Sequence, residues 1–225
     1  MKSELSNPQT LNDRMAELIR QKIVHGEFTP GQRLSEAALS ESLEISRNTL
    51  REVFRLLTKE GLLKHEPNRG VFVAIPSIAS IIDIYRVRRL IECQALAQAY
   101  PRHPAKKHLR DAVEMALRCR DTGDWQGVGT ANMEFHMAIV ELADSERLNV
   151  VFSHLLAELR LAFGLLNDPE FLHMPYVEMN VNILELFEAG KLQEASAALN
   201  EYLVHSERIV LAVYARRISD GGQPK

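Results

Sequence analysis

Cysteine is nearly absent from this chain: only Cys93 and Cys119 occur, neither with a second Cys or His at metal-ligand spacing. That excludes a disulfide scaffold and a zinc clip, and the two thiols read as small core residues of a reducing compartment. Aromatic residues are scarce at 6%, with one Trp. No apolar run nears the ~18 residues of a membrane span, and the polar start MKSELSNPQTLNDR lacks the apolar segment of a secretory signal. The expected location is therefore the cytoplasm, with no membrane partner. Excess positive charge is missing too, since 27 basic against 30 acidic residues give −3. Taken whole, that argues against a nucleic-acid binder. A phosphate-binding glycine loop, a pair of Glu-x-x-His motifs and an assignable nucleophile with its base are also lacking, so an enzyme is not expected.

What is present divides in two. The 225 residues suit one large domain or two small ones. Up to residue 75 there are 11 basic and 10 acidic residues, and beyond it 16 and 20, so the parts carry +1 and −4. Pro76 ends a β-like run, and Ser77 or Ser80 can cap a following helix. The division is read as a first domain over 1–75, a linker over 76–79, a helical domain over 80–218 and a fraying tail over 219–225.

Apolar periodicity predicts three helices in the first part: Leu11 to Val24, Ser35-capped to about Leu43, and Ser46-capped from Arg47 to about Glu60, stopped by Gly61. The last two, joined by a tight turn at Glu44-Ile45, form a helix-turn-helix. Two short strands, Leu62 to His65 and Val71 to Val73, flank the turn-forming Pro67-Asn68-Arg69-Gly70 as a wing.

On the third helix Arg47, Arg51, Arg55 and Lys59 recur every four residues and drift only about 40° per step, giving one basic stripe. Leu50, Val53, Phe54 and Leu57 supply the opposite, core-facing stripe. A solvated surface helix would show the same stripe. Its place as second helix of the motif favours DNA, because the first turn of that helix enters the major groove. Ser46, Arg47, Asn48 and Thr49 lie there, and an arginine can bridge guanine O6 and N7. Arg69 at the wing tip is placed to follow a phosphate backbone.

The pattern Pro30-Gly31-x-x-Leu34-Ser35-Glu36, Leu39, Ile45-Ser46-Arg47-x-x-Leu50-Arg51-Glu52, Leu57, Glu60-Gly61-Leu62 and Gly70-x-x-Val73 resembles the GntR family of bacterial transcription regulators. The resemblance implies that Arg47 and Arg51 are principal operator contacts, with Ser46, Thr49 and Gly70 close to DNA. Family members usually carry an arginine where this chain has Ala37, and Arg33 could substitute for it.

From Ser80 the pattern is helical throughout: Ile81 to Tyr100, Ala105 to Asp121, Trp125 to Ala143, Ser145 to Leu166, Tyr176 to Ala189 and Lys191 to Arg217. The expected fold class is thus mainly α, a winged helix-turn-helix followed by an antiparallel helical bundle. Tyr85-x-x-Arg88-x-x-Ile91-Glu92, Asn132-x-x-Phe135-His136, Ile183-Leu184, Gly190 and Ala195 resemble the FCD effector domain of the FadR branch of that family. In many such domains a divalent metal is held by Asp or Asn and His four apart on one helix and by two later histidines. Asn132 and His136 match the first pair, but Asn180 and Tyr202 stand where the later histidines should be, which makes a metal doubtful. His173 and His205 lie nearby in sequence. The preferred alternative is a metal-free polar cavity in which Arg88, Asn132, His136, Asn180 and Tyr202 bind an organic effector, Arg88 clamping a carboxylate. A plain salt bridge to Glu92 explains Arg88 equally well.

The expected function is that of a homodimeric regulator, a repressor, reading a palindromic double-stranded operator and responding to a small organic acid. An effector-independent dimeric regulator is the alternative, and a metal-dependent bundle enzyme a distant third.

Overall fold

The computed structural model describes residues 10–165 and 169–219, and the chain divides between Ile75 and Pro76 into two compact units. In the first, α1 (Leu11–Val24) is capped by Thr10, whose hydroxyl and Asp13 carboxylate bond reciprocally to each other's backbone N–H. Buried Arg20 of α1 binds both Glu60 oxygens through Nη2, at 3.0 and 2.8 Å. This ties α1 to the C-terminal end of α3 (Arg47–Lys59). Between them α2 (Glu36–Ser42) is capped by Ser35, and Glu44 takes φ 54° in the turn before α3. Leu50, Val53, Phe54 and Leu57 are the buried residues of α3, as its period requires.

The wing consists of β2 (Leu63–Glu66) and β3 (Gly70–Val73), with Glu66 opposite Gly70 and Leu63 opposite Val73. Pro67 and Asn68, the latter at φ 61°, turn the chain, and the Arg69 N–H closes the turn on the Glu66 carbonyl at 3.0 Å. Two details differ from the sequence reading. The first wing strand begins at Leu63, because Leu62 is spent on the end of α3, its N–H bonding to the Leu57 carbonyl. A further strand, β1 (Arg33–Leu34), pairs antiparallel with β3, Arg33 opposite Phe72, giving the order β1-β3-β2.

The second unit is a bundle of α4 (Ile78–Gln98), α5 (Lys106–Asp121), α6 (Trp125–Glu141), α7 (Glu146–Phe163), α8 (Pro169–Glu188) and α9 (Leu192–Ser219). α4 packs most extensively along α9, and α5 along α6. Ser77 caps α4 and the helix is under way at Ile78, so the linker placed over 76–79 shortens to Pro76 and its cap. α7 stops at Phe163, where Gly164 ends it, short of Leu166, which lies outside the described residues. α8 starts seven residues before Tyr176 and carries Pro175 within it. α9 runs to Ser219, and the rest of the tail assigned to 219–225 lies outside the described residues. No helix is long and apolar enough to cross a membrane, among the described residues.

Candidate functional site

The outward face of the first unit carries the candidate DNA contacts. Ser46 caps α3, accepting the Thr49 N–H at 3.0 Å and pairing its hydroxyl with that of Thr49 at 2.8 Å. Both side chains therefore shape the helix start, where the N–H groups form an anion site. Arg47 and Asn48 are exposed beside it. Arg51 is exposed and held by Glu36 of α2, Nε to Oε2 2.9 Å, while Arg55 pairs with Glu52 and Arg69 with Glu66. Among the described residues Arg47 has no such carboxylate. Gly70 has φ +110°, and a Cβ there would lie 3.3 Å from Arg33 Nε, so the strand β1 brings Arg33 against the wing.

The second unit buries an unusual amount of polarity. Arg88 and Glu92 on α4 and His136 on α6 are almost fully buried and linked: Arg88 Nε donates to Glu92 Oε1 at 2.6 Å, and His136 Nδ1 lies 2.5 Å from Glu92 Oε2. Burial alone would raise the Glu92 pKa, but Arg88 and His136 outweigh it and hold the carboxyl below its ordinary value. Burial depresses His136, keeping the imidazole neutral, with its Nδ1–H donated to Glu92 and Nε2 left as a lone-pair acceptor. Alongside, Asn132 Oδ1 accepts from Asn180 Nδ2 at 2.8 Å and from the Tyr202 hydroxyl at 3.0 Å. The Tyr202 ring lies 5.0 Å from that of His136 and 4.8 Å from that of Tyr176. Tyr85, its pKa pushed up to about 12 by burial, bonds Ser206 at 2.7 Å, and its ring faces the Arg88 guanidinium at 5.3 Å. All five residues proposed for the effector thus lie in one buried network.

Among the described residues, four buried polar atoms around this network find no hydrogen-bond partner: Arg88 Nη2, His136 Nε2, Asn180 Oδ1 and the Tyr176 hydroxyl. One donates, two accept and one can do either. Each costs about 1–3 kcal/mol when left dry. Such a set is what a polar ligand would satisfy.

A transition metal does not suit this donor set. Asn132 Oδ1 is engaged by two donors and His136 Nδ1 by Glu92, which leaves a single imidazole nitrogen and a neutral amide oxygen near a guanidinium. No three His, Cys, Asp or Glu side chains converge for a metal among the described residues. His173 sits elsewhere on α8, its ring 5.6 Å from Phe163 and packed with Arg160 against Gly129, and His205 is exposed. Burial pushes the Cys93 thiol up to about 11, away from reactivity.

Sequence reasoning passed over Glu92 as the centre of the network and Tyr176 as its outer ring. Tyr85, Arg88, Glu92 and Ala95 share one face of α4, a signal that the charged pair points inward. Tyr176 precedes Asn180 by one turn on α8.

Comparison with known proteins bears on both units. The profile of bacterial regulatory proteins of the gntR family matches residues 11–73, and that of the FCD domain matches residues 83–205. The chain is 29% identical over 123 residues to the Nta operon transcriptional regulator of Aminobacter aminovorans, covering 54% of this chain and 58% of that one. It is 32% identical over 99 residues to the HTH-type transcriptional repressor RspR of Escherichia coli K12, covering 44% and 43%. The chain therefore spans about half the length of these curated relatives. Among solved structures, a transcriptional regulator GntR from Rhodococcus sp. RHA1 is 35% identical with a TM-score of 0.85, covering 90% of this chain and 98% of that chain. Escherichia coli McbR/YncC shares the fold at 21% identity and a TM-score of 0.79, covering 91% and 99%.

Proposed function

This chain belongs to the GntR family of bacterial regulatory proteins and carries an FCD domain, and from that premise we propose that it is a cytoplasmic, homodimeric repressor released from DNA by a small organic acid. Two α3 helices, each led by Ser46, Arg47, Asn48 and Thr49, read successive major grooves of a palindromic operator, while Arg33, Arg51, Arg69 and Gly70 meet the backbone or groove edges. No reaction is assigned to it.

The observation that carries the effector reading is the set of unpartnered buried atoms in the bundle. Arg88 Nη2 calls for an acceptor such as a carboxylate oxygen, whereas His136 Nε2 and Asn180 Oδ1 call for donors. The complementary ligand is an acid that also bears a hydroxyl or amine, bound without a metal. The test is a panel of hydroxy, keto and amino acids followed by thermal melting and by fluorescence anisotropy on selected genomic DNA. One class is expected to raise the Tm and lower DNA affinity; a panel without any such member overturns the reading.

A second reading draws on the Arg88–Glu92 contact, which already neutralises the guanidinium. In it the network is a specificity device of a bundle that only dimerises. It requires that DNA affinity be indifferent to every acid and that none of them raise the Tm.

A further inference from the structure

The network has an outer neighbour. Between α8 and α9 a groove of about 450 Å³ opens to solvent, floored by Tyr176 and walled by Phe171, Met174, Pro175 and Ile209, with Glu170 and His205 at its edge. The volume lies within the ~300–1,000 Å³ range of small-molecule pockets. Phe171 and Met174 are 58% and 47% exposed, a large apolar surface for adjacent positions on one helix.

Tyr176 belongs to both places. Only 3% exposed, it lines the groove on one side and on the other meets the Tyr202 ring, tilted at 51° with centroids 4.8 Å apart, while Tyr202 meets His136 edge to face at 5.0 Å. The His205 ring stands 6.2 Å from Tyr176 at the groove. Four rings therefore run from the solvent edge to the centre of the polar network. Tyr176 thus lines the groove and touches the network through Tyr202, and its hydroxyl, although near Ser206, makes no hydrogen bond of normal geometry among the described residues. Pro175 immediately before it supplies no N–H to the helical ladder.

We propose that the groove over Tyr176 is the apolar subsite of the effector cavity, so that the effector is an amphipathic acid whose carboxylate lies at Arg88 and whose aliphatic or aryl end lies against Met174, Pro175 and Ile209. This rests on the effector reading above and narrows it. Charge sets the orientation. Glu170 at the edge repels a carboxylate from the groove, and the Arg88 guanidinium inside has a donor to spare. The apolar end takes the outer place because the groove walls are already hydrocarbon, and an acid that spans groove and network requires the Tyr176 ring to rotate.

The experiment uses the full-length protein and a homologous series, glycolate, 2-hydroxybutyrate, 2-hydroxyhexanoate and 2-hydroxyoctanoate, with affinities measured by titration calorimetry. Affinity is expected to rise with length by about fourfold per methylene once the chain reaches the groove. Met174→Glu, at an exposed position that folding tolerates, is expected to flatten that rise, and Met174→Leu to keep it. A flat series in the wild-type protein, with glycolate binding still dependent on Arg88, overturns the subsite and leaves the effector reading standing. No binding by any member removes both. A length dependence that survives Met174→Glu places the apolar contact elsewhere and overturns the proposal. So does a Met174→Glu variant that turns monomeric on size exclusion with its length dependence intact, because the groove is then covered by a second copy.

Discussion

Arg88 and Glu92 stand one turn apart on α4 and meet at 2.6 Å with their side chains 3% and 0% exposed. Both charges are fully withdrawn from water, so each depends on the other far more than a surface pair would. Glu92 also orients His136, which makes the carboxylate the shared anchor of α4 and α6.

Glu92→Gln is accordingly expected to destabilise the fold by about 3–5 kcal/mol, because it strands a buried guanidinium. Replacing both partners, as in Arg88→Met with Glu92→Leu, should cost much less. Urea unfolding of the two variants checks this, and equal losses would show that the pair is not coupled.

Gly129 on α6 is where Arg160 and His173 rest. A Cβ there would come within 2.6 Å of Arg160 Nη1 and 2.7 Å of His173 Nε2. Gly129→Ala is expected to lose about 1–3 kcal/mol through forced repacking, despite the better helix propensity of alanine. Chemical denaturation at pH 7 measures it, and a stabilised variant would contradict the packing.

His173 is held at about pKa 4 by burial and by the neighbouring Arg160. Between pH 6.5 and 4 the unfolded chain takes up a proton that the folded chain refuses. Stability therefore falls as pH drops through that window, by about 3 kcal/mol in full. His136, also depressed by burial, acts in the same direction. Glu92, depressed, contributes stability above pH 4.5 that disappears as pH falls through its folded pKa. His173→Gln should flatten the stability curve between pH 6.5 and 4 and leave the steeper loss below it, as read by denaturant midpoints across pH.

Arg47 is the exposed cation at the start of α3 that no carboxylate holds, among the described residues. Arg47→Ala is expected to weaken operator binding by about 1–3 kcal/mol and to relax preference at one base pair of each half-site. Binding should also fall steeply with salt, and Arg69→Ala should reduce that slope with little effect on sequence preference. Anisotropy titrations on matched and mismatched duplexes separate the two effects.

The DNA-binding unit was largely legible because its signals are local. Ser46 caps, Gly61 stops, and Leu50, Val53, Phe54 and Leu57 repeat on one face, each detectable within one helix. β1 was not, since two residues cannot display alternation and their pairing with Phe72 and Val71 is non-local. In the bundle, Pro175 looked like the edge of a helix that in fact passes through it. The five residues assigned to an effector were picked out one by one and lie together, but Glu92 was weighed only as an ordinary i,i+4 partner of Arg88. Inward charges blur the apolar stripe of α4, so periodicity alone cannot tell a buried ion pair from a solvated one.

The far end of α9 is tied to the start of the bundle. The Tyr214 hydroxyl donates to the carbonyl of Pro76, the residue at which the bundle begins, while Tyr202 of the same helix bonds Asn132 inside the network. α9 is therefore a rod gripped at two points, twelve residues and about 18 Å apart along its axis. A tilt of about 5° at the inner grip displaces the outer one by about 1.6 Å, the size of helix shift that regulatory proteins use. Tyr214→Phe should thus loosen the outer grip, keeping acid affinity while diminishing the effect of the acid on DNA binding, because a lever without its pivot stores displacement instead of delivering it.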